Sequence, residues 1–279
     1  MSAPLRRRRP GERGFVLVAV LWLGVALAIA ASGFLSDTRR ESYRLRAEIG
    51  TAEAVEMARS ALNLALADLS RSDGGMAPRD GTPITLAMPG GTARFRIRDE
   101  KGKVDLNHAP PTFLAAVLEN LGGVGRDAFD HATLADQLLK AARDAKEAGT
   151  APSLGELITG AGLAPETAAR ATLFLTLHSY TARINPEVAP SEVLAAVPGV
   201  SPEDVAAIME ARRLGEALPS MGMAQGWFIT TEGPVYSILV SGHTASGITA
   251  QMSAMVVQDG RNFSTGRRRF RVLEARLLP

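Results

Sequence analysis

The chain of 279 residues is 46% apolar, enough to pack a core in one large domain or two small ones. Its net charge of +2 is unevenly spread. Residues 1–14 hold five Arg and one Glu, and the remaining 26 basic and 28 acidic residues leave the rest slightly acidic, so a general affinity for nucleic acid is not implied. No cysteine is present, which excludes disulfides, thiol chemistry and cysteine-ligated zinc.

The leader RRRRPGERG is followed by an uncharged run from Phe15 to Leu35. As a helix rising 1.5 Å per residue, that run just spans a hydrocarbon core of about 30 Å. It exceeds the roughly 7–15-residue apolar region of a secretory signal, although the small residues of AIAASGFLSDTRR keep cleavage near Ala31 or Gly33 open. Arginines on the N-terminal side place the N-terminus in the cytoplasm and the bulk of the chain outside.

Apolar positions continue at Leu45, Ile49, Ala52, Val55, Ala58, Leu62, Leu66 and Leu69. Their spacings of three and four mark one face of an amphipathic helix, which Ser-Asp-Gly-Gly at 72–75 ends. A basic leader, Gly, Phe, about twenty apolar residues and a continuing amphipathic helix resemble the type IV pilin-like signal. The resemblance implies that a prepilin peptidase cuts between Gly14 and Phe15, that Phe15 becomes N-methylated, and that the apolar run is kept. Most pilin-like subunits carry Glu at the fifth mature position, where this chain has Ala19. In the family that carboxylate pairs with the N-terminal amine of the subunit ahead, so a chain without it suits the first place, at the tip.

Further along, Ile84–Met88 and Ala93–Arg98 read as strands joined by Pro-Gly-Gly at 89–91. The second alternates Ala93, Phe95 and Ile97 with Arg94, Arg96 and Arg98, a solvated basic face. Residues 104–214, rich in Ala and Leu, read as a helical block. Strands are expected again at Trp227–Thr231, Val235–His243, Ile248–Val257 and Arg268–Ala275. Helices interrupting one antiparallel sheet point to an insertion within an α+β domain.

The helical block carries an internal likeness between LNHAPPTFLAAV (106–117) and INPEVAPSEVLAAV (184–197), pairing Asn107 with Asn185 and Ala109-Pro110 with Ala189-Pro190. Each helix runs into a glycine turn, Leu-Gly-Gly-Val-Gly at 121–125 and Pro-Gly-Val at 198–200. The shape resembles the helix-hairpin-helix module, whose glycine turns expose N–H groups to phosphate. Here Ser201, Glu203 and Asp204 follow the second turn, and Asp127 and Asp130 the first. Acids there repel phosphate, so the hairpins read as packing elements and no nucleic-acid partner is expected.

The leader, Ala19, DEKGKVDLNHAP (99–110) and INPEVAPSEVLAAVPGV (184–200) together resemble the general secretion pathway protein K family, minor pseudopilins of the type II secretion system. That resemblance implies an α+β fold: a pilin-like N-terminal helix on an antiparallel sheet, with a large inserted all-α domain. The expected organisation is a cleaved leader 1–14, a membrane-spanning segment 15–35, a first part of the pilin-like domain 36–103, the insert 104–214 and the remaining strands 215–279. The implied partners are minor pseudopilins of the I and J types, the major pseudopilin, the prepilin peptidase and the bacterial inner membrane. Some relatives hold calcium on a cluster of acids. Residues 136–158 offer Asp136, Asp144, Glu147 and Glu156 without an Asp-x-Asp group, so no cofactor is expected and no metal ligand is assigned.

No HExxH, GxSxG, Walker A or GxGxxG motif occurs, and His108, His131, His178 and His243 are far apart in sequence. The expectation is therefore a non-enzymatic assembly subunit. A membrane-anchored DNA-binding protein of a competence-type uptake system is the alternative, and an uncleaved anchored scaffold a third reading.

Overall fold

The computed structural model describes residues 12–73, 75–121, 131–150, 152–262 and 264–278. The chain divides into two units, residues 1–53 and 54–279. Helix α1 (Glu12–Leu69) contributes to both. In the first unit its residues 18–29 and 40–49 are all exposed, including Trp22, Leu27, Tyr43, Leu45 and Ile49. Among the described residues no helix is long and apolar enough to cross a membrane. The side chains at 12–17, 30, 31 and 33–39 lie outside the described set, so only part of the expected span over 15–35, residues 18–29 and 32, is described in full.

In the second unit the end of α1 lies on an antiparallel sheet. Strands β1 (Ile84–Met88) and β2 (Gly91–Asp99) form the expected hairpin, with Met88 opposite Gly91 and Gly90 at φ 80° in the turn. Asp99 then caps a 3-10 turn at Glu100–Gly102. Next come β3 (Val104–Asp105), α2 (Pro111–Asn120), α3 (His131–Glu147), α4 (Leu154–Gly160), α5 (Pro165–Ala171), β4 (Leu175–Thr176), α6 (Ser191–Ala195) and α7 (Pro202–Leu214). Strands β5 (Val235–Thr244), β6 (Thr249–Arg261) and β7 (Arg268–Leu278) complete the main sheet, in the order β1-β2-β5-β6-β7.

Two hydrophobic cores result. One combines Met57, Ala58, Ala61, Ala65 and Leu69 of α1 with Phe95, Ile97, Tyr236, Ile238, Val240 and Val256 of the sheet. The other is built between Val104 and Phe228, around Phe113, Leu114, Leu118, Leu138, Ile158 and Ile208. In sequence this second core lies between β2 and β5, which pair directly along their length.

The packed face of α1 differs from the one its leucines suggest. Ala54, Ala58, Ala61, Ala65 and Leu69 are fully buried, whereas Leu62 and Leu66 are half-buried and Leu45, Ile49 and Ala52 are exposed. The cause is a close approach. A Cβ on Gly242 of β5 would stand 2.1 Å from the carbonyl oxygen of Ala54 and 2.9 Å from the nitrogen of Ala58. Only small side chains fit between backbones at that distance, and the leucines straddle the contact.

Two other expectations change. Trp227–Thr231 is not a strand. Gly222–Trp227 is a 3-10 turn, and Phe228 makes a single parallel bridge to Ile184 while its ring fills the helical core. Among the described residues three strands, not four, therefore follow the helices. Residues 104–214 are also not purely helical, since β3 and β4 form a short parallel pair that closes α2–α5 into a loop.

Candidate functional site

Gly14 and Phe15 belong to the backbone of α1, and their side chains lie outside the described set. Ala19 follows about one helical turn later and is exposed.

Where β2 leaves the sheet, charged residues are concentrated in a way the sequence reading did not anticipate. Asp99, Glu100, Lys103 and Asp105 are all buried. Asp99 accepts N–H bonds from Lys101 (2.9 Å) and Gly233 (2.7 Å). Burial is the largest influence on its carboxyl and, despite those donors, leaves the pKa above the ordinary value. Glu100 forms an ion pair with the Lys103 ammonium at 2.7 Å and accepts the Thr176 hydroxyl at 2.5 Å. Burial alone would push Glu100 up, but Lys103, Thr176 and Ser237 outweigh it and its pKa lies below the ordinary value. The Lys101 ammonium donates to Thr231 O, Thr231 Oγ1 and Glu232 O. Three consecutive residues thus tie β2 to β4, to the segment before β5 and to β5 itself. Gly102 is required here, because a Cβ would meet Val188 O at 2.9 Å. The signal was present in DEKGKVD, where charges crowd a strand end around one Gly.

Asp105 opens the helical region by accepting Asn107 N–H on its side chain (2.8 Å) and His108 and Ala109 N–H on its carbonyl (3.0 and 2.8 Å). Asn185 does the same with Glu187 (3.0 Å), Val188 (3.2 Å) and Ala189 (3.0 Å). The preceding residues, Val104 and Ile184, each make a parallel bridge, to Leu175 and Phe228. In both, the nitrogen four residues after the proline bonds back to its carbonyl, Leu114 to Pro110 and Leu194 to Pro190. The counterpart of Asn185 is therefore Asp105, not Asn107. Asp and Asn share the side-chain oxygen that makes the turn, and matching identical letters hid this equivalence.

The turn at 121–125 lies outside the described residues, apart from Leu121. The second hairpin is described. Gly199 adopts φ 83°, and Ser201 and Asp204 form a reciprocal capping box on α7. The Ser201 N–H is thereby taken by the Asp204 carboxylate and the Asp204 N–H by the Ser201 hydroxyl, and the acid placed there opposes a phosphate at that point.

Two of the four histidines, His108 and His178, line the same cavity of about 370 Å³, with Lys146, Leu157 and Tyr180 among its walls. His108 Nδ1 stands 3.4 Å from buried Asp105. His243 instead bonds to Ser241 (2.9 Å) and Thr249 (3.0 Å) on the sheet. Among the described residues no group of three His, Cys, Asp or Glu is placed to hold a metal ion.

No family model matches this chain, and no curated protein does. Among solved structures it is similar to the crystal structure of the GspK-GspI-GspJ complex from the enterotoxigenic Escherichia coli type 2 secretion system. The identity is 16%, with 87% of this chain and 99% of that one covered and a TM-score of 0.47.

Proposed function

We propose that this chain is a minor pseudopilin of a type II secretion system, anchored in the bacterial inner membrane with its bulk in the periplasm. Its task is assembly. A prepilin peptidase removes residues 1–14, Phe15 is methylated, and the apolar run stays as the assembly helix. Ala19 in place of Glu fits a subunit with no amine above it to neutralise, and so a place at the tip, where the chain starts and caps the pseudopilus with partners of the I and J types and above the major pseudopilin. The insert expected at residues 104–214, whose core also takes in Met221, Ala224 and Phe228, serves to bar further subunits.

The observation that carries this reading is the contrast along α1. Residues 54–69 bury a small-residue face on the sheet, while residues 18–29 are apolar and exposed on every side. An uncharged helix exposed all round needs a bilayer or neighbouring helices. The capped N-terminus of α7 weighs against the DNA-binding alternative.

Co-purification tests the proposal. Expressed with the I- and J-type pseudopilins of the same secretion operon, the chain from about residue 36 is expected to elute with both as one ternary species. Separate elution of all three contradicts it.

A further inference from the structure

We infer that the cavity between the end of α3 and the turn after β3 is a binding site for an apolar group carrying a carboxylate, a property independent of the assembly role. The cavity holds about 370 Å³, room for one aromatic or branched aliphatic group. Its inner wall is apolar, from Ala142, Leu157 and Leu177, whereas its rim offers Lys146, His108 and His178. Among the described residues no Asp or Glu lines it, and Asp105, which stands 3.4 Å from His108, is buried. A site with an apolar floor and only cationic or neutral donors at its mouth selects an anionic ligand with an apolar body.

Two further observations separate this cavity from a packing gap. Tyr180, on its wall, has φ 58°, a left-handed conformation rare for an aromatic residue, and remains 57% exposed. Its N–H is fastened to Asp105 at 2.9 Å, so the strain presents the ring to solvent at the cavity and does not bury it. The other half of the helical region supplies an internal comparison. Beside Asn185, Arg212 of α7 reaches in to bond Pro186 O and Ala189 O (2.8 Å to the latter), and Val188, the counterpart of His108, is buried. One half is closed by its own side chain and the other is left open with a histidine on its wall.

The test uses the full chain in lipid nanodiscs with ¹³C-labelled histidine, titrated with N-acetylphenylalanine and, separately, its amide. The expected result is a saturable shift of the His108 and His178 signals by the carboxylate with a midpoint below about 1 mM, and a midpoint at least about ten-fold weaker for the amide. Lys146→Met should weaken the carboxylate about ten-fold, and Ala145→Trp, which fills the mouth, should remove saturation. A short Ser/Gly peptide ending in Phe with a free carboxylate identifies the source: binding as tight as the free acid assigns a chain terminus, and loss of binding assigns a small molecule. No saturable shift, equal binding of acid and amide, or an unaltered midpoint in both variants overturns the inference.

Discussion

Asp105 and Asn185 accept the same three backbone hydrogen bonds and each follows a residue in a parallel bridge, so one turn design opens both halves of the helical region. They differ in the second side-chain atom. Asp105 Oδ2 also accepts the Ser179 hydroxyl (3.2 Å) and Tyr180 N–H (2.9 Å), and so binds the end of the first half to its beginning.

Asp105→Asn is the direct test of that difference. An amide keeps one acceptor, so either the turn or the Tyr180 contact loses its partner, at a cost of about 1–3 kcal/mol. Amide exchange at Tyr180 should accelerate while the Asn107 amide stays protected, read by NMR alongside a urea midpoint. Unchanged exchange at both positions would show that the second contact does not hold the halves together.

Glu100 and Lys103 form a buried pair, so Glu100→Gln leaves an ammonium buried without its counter-charge. The expected loss is about 3–5 kcal/mol, with Glu100→Gln/Lys103→Met less damaging than the single change. The pH sign follows from the lowered carboxylate. Its contribution is present above the ordinary value of 4.5 and is lost as pH falls through the lower folded value. Asp99 acts oppositely, since its raised pKa removes stability as pH rises past 3.8. The wild-type minus Glu100→Gln difference in urea stability should therefore shrink below pH 4.5. A difference that is flat with pH contradicts the assignment.

Gly242 sets the approach of α1 to the sheet. Gly242→Ala should cost about 1–3 kcal/mol, because the new Cβ collides with the backbone of Ala54 and Ala58 and not with a movable side chain. Gly226→Ala is the control, as nothing stands within 4 Å of the added carbon. Thermal unfolding that moves equally for the two would refute the close-approach account.

Ala19→Glu would return the carboxylate common in pilin-like subunits. In the tip position proposed above there would be no amine ahead to pair with it, and a carboxylate in the bilayer costs several kcal/mol. Export of a reporter substrate should fall while the soluble ternary complex with the partner pseudopilins still forms. Export at the wild-type level would remove the argument for the tip.

The strands were legible wherever one face alternates and a turn residue follows, as in Phe95, Ile97 and the hairpin at Gly90. The long helix was legible from its spacing, but its buried face was not, because Gly242, whose close approach favours alanines over leucines at 54 and 58, is distant in sequence. Trp227–Thr231 misled for a related reason. Its apolar side chains serve a helical core, and its backbone pairs in a single bridge, with Ile184, and not along a ladder. The joining of His108 to His178 could not be read from spacing, since the β3–β4 pair that unites them is two residues long on each side.

The central claim is that residues 1–14 are removed and the apolar run retained. Intact-mass and N-terminal fragment analysis of the chain extracted from membranes of cells carrying a prepilin peptidase tests it most directly. The account predicts a chain beginning at Phe15 with one added methyl group, and a Gly14→Val variant that keeps its leader. A chain beginning at Met1, or one cut near Ala31 or Gly33, would contradict it.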